Sequence, residues 1–433
     1  MRKVLCLACL LVLPVQASSS SLVELYEQAV ESDPRLNVSR ANKEVGAARY
    51  DQATARLLPQ VSLSSTLTDN NRTLLQTGSS DHYKGEKYNL GVQQKLFDLN
   101  AWHDRKRYHH LSEESVARLV EKEIEVTTDL VARYLDVLAK QDAEELIVAE
   151  KNATKKQLEL LKSRYKRQLA TITDLLEVEA RYDVMLADEI RARADVEIAL
   201  ETLSELVGRP IEDGLPKLAE TIGDFGDIGS LDSWTERALK DNPSLRSKAF
   251  QVRAQEAGLR QAKAVDYPTV DFALSAQKSD IGFENSQSSR TETYVASLNF
   301  SMPLYQGGSG SARKAESRAL LRIAQFEYEE VRRNILKSLR ASFLNTEASQ
   351  ARIIAAKNAL NSAEKSYEAQ EKGLTYGAVT VVDVLDALRE RYRVRRDYRQ
   401  AQYDYVTNWI SLLGLSGELS ASHVIQIDSW RAE

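Results

Sequence analysis

Gly377-Ala-Val-Thr-Val-Val-Asp-Val-Leu-Asp-Ala387 is a short glycine-led turn between two long, charged, helical stretches, and it occurs twice in the chain. Counting back 209 residues from Thr380-Val-Val-Asp383-Val-Leu385 reaches Thr171-Ile-Thr-Asp174-Leu-Leu176 in the same setting. The offset recurs: Asp33-Pro34 pairs with Asn242-Pro243, Pro59 with Pro268, and Tyr134-Leu-Asp136 with Phe343-Leu-Asn345. Around Leu90 to Phe97 and Leu298 to Tyr305 it becomes 208, a one-residue slip of the kind loops absorb. A period this long marks a duplicated half-molecule rather than a solenoid unit. The chain reads as a first repeat over 18–208, a linker over 209–232, a second repeat over 233–417 and a tail over 418–433.

The first seventeen residues read as a signal peptide: Arg2 and Lys3, an apolar run from Val4 to Leu13, Pro14, then a small-residue cleavage site ending at Ala17. A lipid-anchored reading at Cys9 would put Cys6 where a leucine is usual. Both cysteines lie in this segment, so the mature chain is expected to lack thiols for a disulfide, a zinc cluster or a nucleophile. The formal charge of -5 includes Arg2 and Lys3, so the mature chain is more acidic still, which argues against a nucleic-acid partner. After Leu13 no apolar run approaches the ~20 residues of a membrane helix. A membrane barrel stays open, because its strands hide their apolar content by alternation.

Residues 22–33 and 35–57 read as helices separated by Asp33-Pro34, with Pro59 ending the second. The period then becomes two. Val61, Leu63, Ser65 and Leu67 face one way in a strand over about 61–68, against Ser62, Ser64, Thr66 and Thr68. A polar stretch over 69–85 reads as a loop, and a strand over about 87–97 follows with Tyr88, Leu90, Val92 and Leu96 on one face. The second half repeats this with strands over about 269–277 and 293–304 around a polar loop at 278–292. The pattern suits spanning strands with interfacial aromatics, and it suits equally two soluble hairpins with one face on a helical core.

Helices account for the remainder. Residues 101–165 carry two apolar stripes, one through Val116, Val120 and Ile124 and one through Leu119, Val126 and Leu130, as expected of a helix with neighbours on both flanks. At ~1.5 Å per residue it would be about 95 Å long. Return helices are expected over 172–207 and 381–413, with the second long helix over 311–372. The linker is rich in glycine and proline, including Gly208, Pro210, Gly214, Gly223 and Gly226. The tail carries a possible extended segment from His423 to Ile427.

None of the five histidines is spaced for metal or catalysis: His109 and His110 diverge by ~100° on a helix, and His103 and His110 read as a solvated face. No serine sits in a nucleophile elbow. Gly307-Gly-Ser-Gly310 fails as a phosphate loop, because Arg313 stands where a third glycine belongs and the preceding strand alternates. It reads as a strand-to-helix turn capped by Ser309 or Ser311. Thr171 with Asp174 and Thr380 with Asp383 both read as capping boxes. Asp386, one turn on, stacks a second carboxylate on the face of Asp383, which a purely structural cap does not require.

With its signal peptide, its duplicated half of helix, strand, strand, long helix and return helix, and the run Thr380-Val-Val-Asp-Val-Leu-Asp-Ala387, the chain resembles the TolC-like outer-membrane efflux proteins, also called outer membrane factors. The resemblance covers nearly all of 18–417. It implies an α+β membrane protein: a homotrimer in which each chain gives four strands to one 12-stranded β-barrel, continued by a long α-helical barrel through the periplasm. It also implies a passive export duct in the outer membrane of a Gram-negative bacterium, without enzymatic activity or cofactor. Its partners would be outer-membrane lipid, a periplasmic adaptor (membrane fusion) protein and an inner-membrane ABC or RND transporter, serving type I protein secretion or multidrug efflux. Asp383 and Asp386 match the family's acidic pair at the periplasmic constriction, and Asp174 matches its first-repeat aspartate. Val379 and Leu374 stand where the family has a gate-linking arginine and tyrosine.

Two other classes compete. A soluble periplasmic adaptor with a helical hairpin would carry a lipoyl-like β-domain, and a secreted enzyme with a helical insertion would carry a catalytic constellation. Neither signal is present in the sequence. In the duct reading the loops around Ser79 and Ser288 face the cell exterior, and Leu90, Leu298 and Phe300 face lipid.

Overall fold

The computed structural model describes residues 21–211, 215–219, 228–280 and 290–431. The expected signal segment with Cys6 and Cys9, the glycines Gly214, Gly223 and Gly226 of the expected linker, and residues 281–289 with Ser288 lie outside the described residues. The elements run α1 (Leu22–Ser32), α2 (Pro34–Ala55), β1 (Gln60–Leu74), β2 (Ser79–Phe97), α3 (Leu99–Lys166), α4 (Ile172–Val207), α5 (Leu231–Asp241), α6 (Pro243–Ala264), β3 (Thr269–Asp280), β4 (Arg290–Ser301), α7 (Ser309–Thr375), α8 (Val381–Ser416) and α9 (Ala421–Asp428). Helix, helix, strand, strand, long helix, return helix therefore occurs twice in order. The two Pro-led helices start alike: Asp33 accepts the Arg35 N–H at 2.7 Å and Asn242 accepts the Leu245 N–H at 3.0 Å, each just before a proline whose missing donor costs nothing there. At 68 residues α3 is about 100 Å long.

The chain folds as two compact units. One comprises Val38–Lys122 and Leu239–Leu336 and holds an antiparallel sheet in the order β1-β2-β3-β4. Leu63 lies opposite Leu90, Leu90 opposite Ala276, and Phe272 opposite Leu298. Directly opposed residues share a face, so Val61, Leu63 and Leu67, Tyr88, Leu90 and Val92, Phe272 and Leu274, and Leu298 and Phe300 form one apolar surface. Ser62, Ser64 and Thr66, Asn89 and Gln93, Asp271 and Ser275, and Ser297 and Asn299 form the other. The apolar surface is uncovered within the chain, with Leu63 77 % and Phe300 67 % exposed.

Several expectations are corrected. The stretch 69–85 is strand except for a turn at residues 75–78, because its threonines, asparagines and serines stay in register from Asp69 opposite Lys84 to Leu74 opposite Ser79. Likewise β3 runs to Asp280 and β4 begins at Arg290 and ends at Ser301, short of the expected 304. A bulge between Lys95 and Phe97 lifts Leu96 out of the pairing and sets Phe97 opposite Val270, so Phe97 rather than Leu96 ends the apolar row. Ser309 is already helical and the Ser311 hydroxyl donates to the Gly308 carbonyl at 2.7 Å, so neither acts as the expected cap. Instead Gly307 (φ 61°) and Gly308 (φ 85°) make the turn in a left-handed conformation that a side chain would strain.

Among the described residues, the second unit takes in 21–37, 123–211, 215–219, 228–238 and 337–431. Leu22, Leu25 and Ala29 bury one face of α1. The tail, expected to be extended, is the helix α9: Val424 and Ile427 recur at helical spacing and are both buried. Asp428 accepts the Leu22 N–H at 2.9 Å and is held by Arg431 at 2.6 Å, tying the last helix to the start of the first. Around the linker, Ile211, Leu215 and Leu218 are buried and Ala219 donates to the Trp430 carbonyl at 2.8 Å.

Candidate functional site at the helix turns

The turns after α3 and α7 are built on one plan. Leu169 N–H donates to the Arg164 carbonyl and Ala378 N–H to the Gly373 carbonyl, both at 2.9 Å and 209 residues apart. Each follows a left-handed residue closing the helix: Gly377 (φ 72°) in the second turn and Gln168 (φ 61°) in the first, where the same geometry is held against the Cβ penalty. Thr171 and Thr380 then cap α4 and α8. Asp174 N–H and Asp383 N–H each donate to the threonine hydroxyl at 3.2 Å, and each aspartate accepts the threonine N–H in return. Asp174 and Asp383 are therefore capping carboxylates, and hydrogen bonds from the Thr380 hydroxyl and backbone hold Asp383 below the ordinary 3.8.

Apolar side chains pack the two turns together. Leu158 and Leu161 of α3, Leu175 and Val178 of α4, and Val381, Leu385 and Leu388 of α8 form one buried cluster, joined by Tyr182, Tyr367 and Leu374. Leu374, at the position of the family's linking tyrosine, thus contributes packing and not a hydrogen bond. Val379, at the arginine position, lies against Gly373, where an added Cβ would come within 3.2 Å of its Cγ2.

Asp386 is not a second cap. Its Oδ1 accepts from Arg181 Nη1 at 2.6 Å, and the same guanidinium donates through Nη2 to Glu177 at 2.8 Å. Arg181 thus ties α4 to α8 across the apolar cluster. Glu177 is the counterpart of Asp386 at the 209-residue offset, so Arg181 sits between two equivalent carboxylates. Neither Arg181 nor Glu177 carries a local sequence signal, and only the 209-residue offset from Asp386 points to Glu177. A groove of about 330 Å³ beside the pair is lined by Glu150, Thr154, Glu177, Arg181, Leu385 and Arg389. Burial raises the Glu150 carboxyl above its usual range, only partly opposed by Arg389 and Arg396. Asp174, Asp383 and Asp386 all lie at these packed turns, but only Asp386 carries a partner from the other hairpin. Among the described residues, no group of His, Cys, Asp and Glu is arranged to hold a metal ion, and no helix is long and apolar enough to cross a membrane.

A family model described as "Outer membrane efflux protein" matches residues 25–209 and 234–418. The chain is 27 % identical to the outer membrane protein TolC of Escherichia coli (strain K12), covering 95 % of this chain and 85 % of that one. It is also 27 % identical to the alkaline protease secretion protein AprF of Pseudomonas aeruginosa, covering 95 % and 87 %. Among solved structures, the fold is similar to the outer-membrane channel OprN, with a TM-score of 0.80 at 19 % identity over 92 % of this chain and 90 % of that one. It is likewise similar to the CmeC outer membrane channel of Campylobacter jejuni, with 0.81 at 14 % identity over 95 % and 89 %. With both of its matched stretches carrying the same order of elements and the same acid-bearing turn, the chain belongs to the outer membrane efflux protein family.

Proposed function

We propose that three copies of this chain close one 12-stranded barrel in the outer membrane and that their helices line a periplasmic passage for exported substrates. The observation that carries this reading is the sheet. Its four strands leave β1 and β4 paired on one side only, and its whole apolar face is uncovered, whereas lipid tolerates neither a free edge nor an open sheet. Opposed apolar and polar faces suit a wall between lipid and a wet lumen. The family is one of transport ducts, and its localisation is the outer membrane. The soluble-adaptor reading is not favoured, since both halves of the chain match the family. The relatives named for protease secretion and for efflux support a periplasmic adaptor and an inner-membrane ABC or RND transporter as partners.

In this reading the helix turns form the closed periplasmic mouth, with Asp383 and Asp386 as rings of carboxylates that favour cations. Arg181 offsets the Asp386 ring, leaving Asp383 as the less compensated one. Opening moves the α7–α8 turn off α4, which breaks the Arg181–Asp386 pair and uncovers Val381, Leu385 and Leu388. Planar-bilayer recordings test this. A trivalent cation added from the periplasmic side should block the wild-type protein and fail to block Asp383→Ala/Asp386→Ala in intact assemblies. Unaltered block in a well-assembled double variant would reduce Asp383 to a helix cap.

A further inference from the structure

The first turns of α3 and the last turns of α6 hang from neighbouring strands, β2 and β3, which pair down to Phe97 opposite Val270. The two helices run antiparallel at close range: Asn100 Nδ2 donates to the Gln261 carbonyl at 3.2 Å, and a Cβ added to Gly258 would sit 3.5 Å from Arg107 Cδ. This register sets His103 near Arg260 and, one heptad further along each helix, His110 near Arg253. Trp102, Lys106 and His109 recur on one exposed side of α3, as Arg253, Arg260 and Lys263 do on α6, with the half-buried Glu256 between them. Arg105, hydrogen-bonded to Tyr50 and Thr54, lies 6.0 Å from the Trp102 ring.

The carboxylates closest to the sheet are already taken: Asp98 by Lys95, Asp104 by Arg56 and Arg107, and Asp266 by Lys314. Lys106, Arg253, Arg260 and Lys263 are exposed, and on the two helix sides just described they stand against the single acid Glu256, so those sides carry an excess of positive charge. His103 Nδ1 is buried with no hydrogen-bond partner among the described residues. Burial, then Arg260 and Lys106, hold His103 below the usual imidazole range; burial, then His109, Lys106, Arg253 and Arg260, do the same for His110. Trp102 (55 % exposed) and Tyr267 (53 % exposed) flank the basic groups at the strand ends. An amphipathic aromatic beside basic side chains, about 10 Å below the last paired strand residues, suits the polar layer of a bilayer.

We propose that this surface binds the anionic phosphate headgroup of a glycerophospholipid in the periplasmic leaflet, with Lys106, Arg253 and Arg260 contacting the phosphate and Trp102 lying at the acyl-chain boundary. The proposal rests on the outer-membrane barrel reading, because only there do the strand ends meet a leaflet. Each basic residue at an anionic surface favours binding by about fivefold. As pH falls and the histidines charge, the preference for anionic lipid should strengthen.

The full chain, reconstituted in nanodiscs of phosphatidylcholine, supplies the test through Trp102 fluorescence, isolated by difference from Trp102→Phe. Brominated phosphatidylglycerol at a minor mole fraction should quench Trp102 beyond its share, and Lys106→Gln/Arg253→Gln/Arg260→Gln should bring it level with brominated phosphatidylcholine. Equal quenching by both lipids in the wild type, or a preference that survives the triple variant, overturns the proposal. A preference abolished by inorganic phosphate at constant ionic strength marks a site for free phosphate and also overturns it. Absence of quenching by any brominated lipid contradicts the barrel reading itself.

Discussion

Arg181 is the residue on which the two helical hairpins converge, and its exposure sets the scale of what it does. With Arg181 29 % and Asp386 60 % exposed, the pair is a solvent-screened one, worth no more than about 1 kcal/mol per chain. Its larger effect is on charge. Removing the guanidinium leaves Glu177 and Asp386 facing each other uncompensated, so Arg181→Gln should raise the cation-to-anion permeability ratio in planar bilayers while changing thermal stability little. An unchanged ratio would mean that Asp386 does not face the conducting path. Asp383 behaves differently with pH. Its lowered carboxyl stabilises the folded turn above the ordinary 3.8, and that contribution is lost as pH falls through the lowered value. Cation block should therefore persist at mildly acidic pH and disappear only in stronger acid; a loss of block near neutrality would point to another titrating group. At this scale the caps were legible, because Thr-x-x-Asp is a local signal. Arg181 was not, since its bond to Asp386 spans 205 residues and no local rule looks that far.

At the scale of elements, the alternation that revealed the strands also concealed their length. Beyond Thr68 both faces of the hairpin turn polar, so periodicity vanishes while backbone pairing continues to Leu74 opposite Ser79. A strand that outlasts its apolar stripe fits a hairpin rising past the hydrocarbon core. A cysteine at Ser79 should accordingly react with an impermeant label on intact cells, and protection there would place the turn on the wrong side. The faces make a second prediction. Leu298→Arg, on the apolar side, should cost about 2–4 kcal/mol of barrel stability at the midplane, whereas Ser297→Arg on the opposite side should be far milder in unfolding titrations. Equal damage at both would mean that the faces are assigned wrongly. The Leu96 bulge and α9 escaped the sequence for physical reasons of their own. A bulge is set by pairing with a distant strand, and the β-branched Val424, Ile425 and Ile427 favour strands locally while tertiary packing against α1 makes them helical.

At the scale of the whole molecule, the decisive property is closure of the sheet. A single chain supplies one four-stranded sheet whose uncovered apolar face suits lipid but whose two edges leave backbone groups unpaired, and lipid does not tolerate those edges. Closure therefore depends on the number of chains that join those edges. Native mass spectrometry of the complex extracted from outer membranes in mild detergent measures that number directly. A species of three chains that falls to one on heating is the predicted result. A monomer or dimer in membranes that still conduct ions would contradict it.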